Sequence, residues 1–569
     1  MPPGAFILDA KKAPLLRGFF YGVFLYLMFL ARHVLSGLMK ILITALLIPV
    51  FILLVSCTSL PTGYEEKPSY ALNDTSQTSI GRNAADILGD KPDQTVSYLI
   101  NEGTEAFLAR MVLLEEAERS IDVQYFIWHA DLIGKLLFNG MIQAADRGVR
   151  VRILLDDINI NAETEPILYA MDQHENIEVH LFNPFASRGL RAVDFVTDAF
   201  RINRRMHNKS FTVDNQATVV GGRNIGNEYF SADEVSNFRD IDVFAVGPVV
   251  HEVSKQFDTY WNSKVVYPVK VFDHNKATVS DLADLKIRLA AFVKEQEGSK
   301  YHLDIKDTDM YQRLTDATAV TKSPKLFKGD VKVVYDDPEK GMGKTEEEIV
   351  FLKSLVRPHI SAITKSFELV SPYFVPGDAG KEYLIGMVEK GIKVRVITNS
   401  LSSTDGIMAQ SGYARHRIDL LKGGVELYEL KADAKTKASR SLRRGEKAKS
   451  GLHAKTYIFD REEVFIGSFN FDQRSANINA EVGVIYQIPE MAKYIAEAAF
   501  ETAVSEHTYR VELLIEHEDV DGIDVEQEKV VWVETKDGKE YRYTTEPGTS
   551  GWRRFNEGVF SILPIESQL

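Results

Sequence analysis

The stretch MHNKSFTVDNQATVVGGRN (residues 206–224) reads as a β-hairpin, two apolar runs turned back on each other by Asp-Asn-Gln. LHAKTYIFDREEVFIGSFN (452–470) repeats it, with His, Lys, Asp and Asn at the same spacings. Residues i and i+2 of a strand share a face, so His207 projects with Lys209 and His453 with Lys455. The returning strand ends level with the histidine, which sets Asn224 beside His207 and Asn470 beside His453. Gly222 and Ser468 are small enough to let a ligand approach the backbone there.

The repetition extends outward from the hairpins. AERSIDVQYFIWHADLIGKLLFNGMIQAADRGVRVRILLDD (117–157) and AITKSFELVSPYFVPGDAGKEYLIGMVEKGIKVRVITNS (362–400) share one order. Each has an apolar strand ending in aromatics, an amphipathic helix, a glycine (Gly148, Gly391) where the helix stops, and a second apolar strand. Continuous apolar strands belong in a sheet covered on both faces. Short strands follow at 176–185 and 424–430, then the hairpins, then a last strand at 239–247 and 479–487. The chain therefore reads as a tandem duplication of an α/β unit, with mixed sheets flanked by helices. The expected boundaries are 1–57 for apolar N-terminal segments, 58–80 for a linker, 81–264 for the first domain and 346–510 for the second. Residues 265–345 read as a structural connector without chemistry, and 511–569 as a C-terminal extension.

One hairpin offers an imidazole, an ammonium and an amide on one patch. Two hairpins facing across a pseudo-twofold offer two imidazoles with phosphate-gripping groups between them, which suits displacement at a phosphodiester. One histidine attacks phosphorus and forms a phosphohistidine, while the other protonates the leaving alcohol and deprotonates the acceptor. The lysines and asparagines stabilise the added negative charge. Neither the single cysteine nor the His-X-Lys spacing resembles a metal site, and no metal or cofactor is expected. Lone histidines such as His129, His359 and His416 read as structural or exposed.

Composition sets outer limits. The 569 residues suggest two or more domains, and the formal charge of −14 disfavours a nucleic-acid backbone as the main partner. The apolar run ILITALLIPVFILLVS (41–56) ends at Cys57. It is short for a membrane span of about 20 residues and is similar to a bacterial lipobox, which makes Cys57 the candidate lipid anchor; a membrane helix that happens to end in cysteine is the alternative. A further apolar run at 18–31 precedes Met39-Lys40. It fits either a start at Met39 or a hairpin of two membrane segments. Both readings put the catalytic body at a membrane, and a bacterial, periplasm-facing location is expected.

On the duplicated HxKxxxxD motif and its downstream Gly-Gly/Ser-X-Asn, the chain resembles the phospholipase D superfamily over most of its length after about residue 80. That resemblance implies His207, Lys209, His453 and Lys455 as catalytic groups, His207 as the nucleophile, and Asn224, Asn470 and Ser468 on the phosphate. It makes Asp214 and Asp460 mainly structural. It also implies an acid steadying each histidine, with Glu481 in that role and Asp242 as its first-half counterpart. Gly222 stands where the pattern has serine. VVGGRNIGNEYF, NFRDIDVFAVG and the terminal EPGTSGWRRFNEGVFSILPIESQL are similar to bacterial cardiolipin synthases of the C type. This similarity implies transfer of a phosphatidyl group onto phosphatidylglycerol, at one active site shared by the two domains.

Three rivals stand beside that reading. A hydrolytic phospholipase D uses the same site with water as acceptor. A nucleic-acid phosphodiesterase is opposed by the net charge, and a catalytically dead scaffold by two intact motifs. The stretch 431–449 carries eight basic and two acidic residues and fits either a solvated loop or a clamp on anionic headgroups, at about 1 kcal/mol per cation. GVFSILP (558–564) fits either a face resting on the bilayer or a packed core element.

Overall fold

The computed structural model describes residues 59–64, 67–272, 276–308, 310–311, 323–433, 449–520, 523–536, 538–563 and 566–569. Cys57, the apolar runs at 18–31 and 41–56, and most of the basic stretch 431–449 lie outside them. No helix among the described residues is long and apolar enough to cross a membrane.

The first copy of the repeat contributes β1 (Thr95–Ile100), β2 (Ser120–Tyr125), β3 (Arg150–Asp156), β4 (Ile177–Phe182), the hairpin β5 (Ser210–Val213) and β6 (Ala217–Gly221), then β7 (Ser236–Arg239), β8 (Asp242–Val246) and β9 (Val266–Pro268). β2, β3 and β4 pair in parallel, as their apolar runs require. β5 joins β2 antiparallel and is followed across the sheet by β6, β8 and β1. Helix Leu132–Asp146 is capped by the Asp131 carboxylate, which accepts from the Gly134 N–H at 3.1 Å. Gly148, at φ 94°, turns the chain away after that helix, and Gly391, at φ 84°, does so after helix Gly377–Glu389.

β10 (Leu326–Tyr335) lies within the stretch read as a connector. Its start pairs with β1 and its remainder with a strand of the second copy, so it joins the two halves. That copy contributes β11 (Ser366–Val370), β12 (Lys393–Asn399), β13 (Glu426–Leu430), β14 (Lys449–Leu452), the hairpin β15 (Thr456–Phe459) and β16 (Glu463–Gly467), and β17 (Val482–Gln487). β11, β12 and β13 are parallel, and β15 joins β11 antiparallel, followed by β16, β17 and β10. β18 (Thr508–Val520), β19 (Ile523–Lys536) and β20 (Lys539–Tyr543) extend the far edge, giving one sheet of 18 strands. β7 and β14 form a separate parallel pair, one strand from each half.

The apolar core between the halves is common to both. Val243, Val250 and Val253 of the first copy pack in one cluster with Ile458, Ile466 and Val484 of the second. Ala186–Ala199 belongs to a second, smaller unit, in which the Asp194 carboxylate accepts N–H bonds from Ala186 (2.6 Å) and Ser187 (3.2 Å).

Candidate active site

Each hairpin turns through two residues of positive φ, Asp214 (53°) with Asn215 (51°) and Asp460 (53°) with Arg461 (57°), within a three-residue connection between the last paired residues. The motif aspartates then tie that turn to the neighbouring strand. Asp214 accepts N–H bonds from Glu118 (3.1 Å), Arg119 (2.7 Å) and Ser120 (2.8 Å) at the start of β2. Asp460 accepts from Thr364 (2.9 Å), Lys365 (2.7 Å) and Ser366 (2.9 Å) at the start of β11. Both carboxylates therefore hold the hairpin in place from the end opposite its histidine.

At that other end, the last residue of a parallel strand positions the residue before each histidine. Asp156, ending β3, accepts from the Met206 N–H at 2.7 Å. Asn399, ending β12, bridges the Leu452 N–H and C=O, both at 2.9 Å. The backbone then crosses between halves. His207 N–H donates to Ala480 O (2.7 Å), and His453 N–H to Arg239 O (2.8 Å). Each histidine is thus drawn to the segment of the opposite half that carries an acid.

The imidazoles complete this exchange. His207 Nδ1 meets Glu481 Oε2 at 3.0 Å, and His453 Nδ1 meets Asp240 Oδ2 at 2.6 Å. With Nδ1 engaged, Nε2 of each ring is the atom available to a substrate. Edge contacts with aromatic rings fix the ring planes, Phe126 on His207 at 4.8 Å and Tyr229 on His453 at 5.1 Å between centroids.

The partner of His453 is Asp240, which corrects the assignment of Asp242. Strand pairing explains the two-residue difference: Gly221 pairs with Asp242 in the first half, and Gly467 pairs with Gly483 in the second. Asp242 therefore corresponds to Gly483, and Asp240 to Glu481. The Asp242 carboxylate instead accepts from the buried guanidiniums of Arg110 (2.9 Å) and Arg223 (3.2 Å).

The small residues also differ from expectation. A Cβ at Gly222 would lie 2.3 Å from Asp240 Oδ1, so the missing side chain makes room for that carboxylate and leaves no gap for a ligand. The Ser468 hydroxyl donates to Glu481 and accepts from the Val482 N–H at 3.0 Å, so it holds the acid. Ser475 Oγ donates to the second Glu481 oxygen at 2.8 Å. Asp336, from the stretch read as a connector, accepts the Glu481 N–H at 2.9 Å and pairs with Lys340 at 3.0 Å. Sequence reasoning missed Asp240, Asp336, Lys340, Ser475, Asp156 and Asn399. Strand-by-strand counting of the repeat points to Asp240, and Asp156 and Asn399 occupy equivalent strand ends, but Asp336 and Lys340 have no counterpart signal.

Lys209 and Lys455 are buried, and the ammonium of each donates to the carbonyl of its own motif histidine. Asn224 Nδ2 and Asn470 Oδ1 are buried without a hydrogen bond among the described residues, so both amides keep polar capacity for a ligand. Burial lowers both lysines, Lys455 to about 8, with Asp240 and Glu481 opposing the shift. Burial also lowers His207 to about 4 against the pull of Glu481, and His453 to about 3 with the added repulsion of Lys455. Each histidine also feels the lysine of the other half, which places all four groups in one electrostatic site. Burial raises the Asp240 carboxyl, but His453 and Lys455 outweigh it and hold the group at about 2.

His129, Asp131 and Glu228 lie close enough to hold a cation, but Asp131 already accepts from the Gly134 and Asn227 N–H groups and His129 pairs with Glu228 at 3.3 Å. These partners account for the cluster as a structural one.

Comparison with known proteins agrees with this geometry. Residues 111–261 and 356–502 match the family model described as cardiolipin synthase, PLD-like domain. The chain is 39% identical to cardiolipin synthase C of Escherichia coli (strain K12), over 84% of this chain and 97% of that protein. It is 31% identical to an uncharacterized protein of Helicobacter pylori (strain ATCC 700392 / 26695), over 86% of this chain and 92% of that one. Among solved structures, phosphatidylserine synthase of Haemophilus influenzae Rd KW20 aligns with a TM-score of 0.48 at 14% identity, covering 77% of this chain and 92% of that one. With both of its halves matched and almost the whole of one relative covered, the chain belongs to the cardiolipin synthase family of phospholipase D-like proteins.

Proposed function

We propose that this chain is a membrane-associated phosphatidyltransferase that forms cardiolipin from phosphatidylglycerol and a second phospholipid. The observation that carries this reading is a single buried site with two Nδ1-anchored histidines and two lysines, in a chain 39% identical to a cardiolipin synthase. His207 is the nucleophile: its lowered pKa leaves the imidazole neutral at pH 7, with Nε2 carrying a free electron pair. Nε2 attacks the donor phosphorus, the bond from phosphorus to the headgroup oxygen breaks, and a proton from His453 Nε2 goes to that oxygen. Neutral His453 then takes the proton of a phosphatidylglycerol hydroxyl, whose oxygen attacks phosphorus as the phosphohistidine bond breaks. One proton is given and one returned, so the site ends as it began.

An empty site disfavours protonated His453, because burial and Lys455 both lower it. An incoming phosphodiester anion reverses that balance. Its charge favours the imidazolium and both ammonium groups, so acid strength is supplied when substrate binds. Lys209 and Lys455 hold the phosphate, with Asn224 and Asn470 beside them. Ser468, Ser475 and Asp336 act through Glu481, and Asp214 and Asp460 through the hairpin turns. A lipidated Cys57, or in its place the apolar N-terminal segments, holds the body at the bilayer.

The test uses purified full-length protein in vesicles of phosphatidylglycerol and phosphatidylethanolamine, with the lipid products separated. Cardiolipin is expected, and it is lost in His207→Ala and in His453→Ala. Phosphatidic acid alone would replace this reading with hydrolysis.

A further inference from the structure

Helix Gly551–Ile562 is amphipathic in the reverse of the usual sense. Two of its three charged residues face the protein: Arg553 donates to Leu401 O and Thr404 O, both at 2.6 Å, and Glu557 lies 3.7 Å from the buried Arg417, while Arg554 donates to Thr549 just ahead of the helix at 2.9 Å. Its outward face is uncharged and carries Trp552 (71% exposed), Phe555 (60%), Val559 and Ile562 (80%), with Leu563 at its end. The spacing of three, four and three residues puts these side chains on one stripe. A folded protein rarely turns its charges inward and its largest apolar groups outward unless something covers that face.

The position of the helix identifies the cover. Arg553 grips the loop that leaves β12 directly after Asn399, the residue whose amide positions Leu452 beside His453. The same loop carries Asp405, which accepts from the Tyr373 hydroxyl at 2.8 Å. The helix that carries the stripe therefore packs on a loop that leaves the rim of the active site. The histidines are buried, and a phospholipid can present its phosphate to them while its acyl chains stay in the bilayer only if that rim faces the bilayer. A second copy of the chain fits less well, since the five side chains expose roughly 600 Å² in all, and a stable dimer buries about 800 Å² per partner.

We infer that the outward face of helix Gly551–Ile562 docks on the lipid bilayer and seats the active-site rim against it. This rests on the phospholipid-transfer reading given above for the substrate, but its test has an independent readout. Of the four tryptophans, Trp128, Trp261 and Trp532 are buried and Trp552 is exposed, so quenching by lipid reports on this helix. Full-length protein is reconstituted in phosphatidylglycerol–phosphatidylethanolamine vesicles whose acyl chains carry bromine near the interface. Bromine is expected to quench a blue-shifted emission that Trp552→Phe removes. In Phe555→Ser/Ile562→Ser, Trp552 emission moves to the red and escapes bromine. That variant also loses about tenfold of its activity on vesicles but keeps it on short-chain phospholipid dissolved as monomer. A wild-type Trp552 reached by aqueous acrylamide and untouched by bromine would overturn the inference. So would shielding from both quenchers that grows with protein concentration, which means a second copy covers the face. Equal loss on vesicles and dissolved lipid would also overturn it. Absence of cardiolipin from either lipid form would instead remove the transferase reading and leave the quenching result standing.

Discussion

Each motif histidine is served by a carboxylate from the other half, and that exchange separates two aspartates only two positions apart. Asp240 meets His453, whereas Asp242 sits between Arg110 and Arg223. Asp240→Asn is therefore expected to lower kcat by 10²–10⁴-fold, by analogy with replacing the acid that orients a catalytic histidine, with little change in melting temperature. Asp242→Asn is expected to do the reverse. It removes the shared anion of two buried guanidiniums, at a cost of about 3–5 kcal/mol in stability. Parallel thermal melts and turnover measurements on the two variants check this.

The shifted pKa values give a pH dependence. An unfolded histidine takes up a proton near pH 6.5, whereas folded His207 does so near 4. Between those values the unfolded chain binds more protons, so the contribution to stability present above 6.5 is lost as pH falls to about 4. Melting curves of the substrate-free protein should show that fall, and His207→Asn should make it shallower, with the remainder coming from His453 and His180, both lowered to about 3. At the alkaline end, Lys455 titrates near 8 in the free enzyme, so kcat/KM should decline above that pH.

The hairpin is the element that the sequence showed most clearly. Its turn, its paired strands and the side-by-side placement of His and Lys all follow from a period of two and a turn tripeptide. The supporting role of Asp214 and Asp460 has a visible cause, three backbone N–H bonds to each carboxylate. Asp460→Ala should cost roughly 0.5–1.5 kcal/mol through lost hydrogen bonds that water partly replaces, with much less effect on turnover of the folded fraction than His453→Ala. Denaturant titration alongside specific activity separates the two. What the sequence did not show at this scale is contact between segments far apart in the chain. Asp336 reaches Glu481 because β10 runs beside β17, and no local pattern marks that pairing. The Asp242 assignment failed for a related reason: spacing within a loop does not reveal where strand pairing resumes.

As a whole molecule, the chain is two similar halves that share one large core cluster, beside clusters such as that of Phe367, Val396 and Tyr457 in the second half. Tandem duplication, the α/β class and both motifs were legible because repetition survives in residue types. The fusion of two sheets through β10 was not: β10 lies antiparallel to β17 as β1 does to β8, and only its leading residues reach across to pair with β1. Ile466 lies in the cluster common to both halves, so Ile466→Ala should lower stability by about 2–5 kcal/mol in a single transition of the catalytic body. Two separate transitions on calorimetry would show the halves to be independent.

In the proposed mechanism both histidines, one from each half, act on one phosphodiester of a phospholipid. Rapid quench into alkaline detergent of full-length protein with phosphatidylglycerol labelled in its phosphate tests it most directly, because a phosphohistidine bond survives base and is hydrolysed in acid. Labelled phosphohistidine is expected at His207 in the wild type, absent in His207→Ala, together with labelled cardiolipin that His453→Ala abolishes. Cardiolipin formed at an undiminished rate by His453→Ala, or covalent label in His207→Ala, would contradict the account.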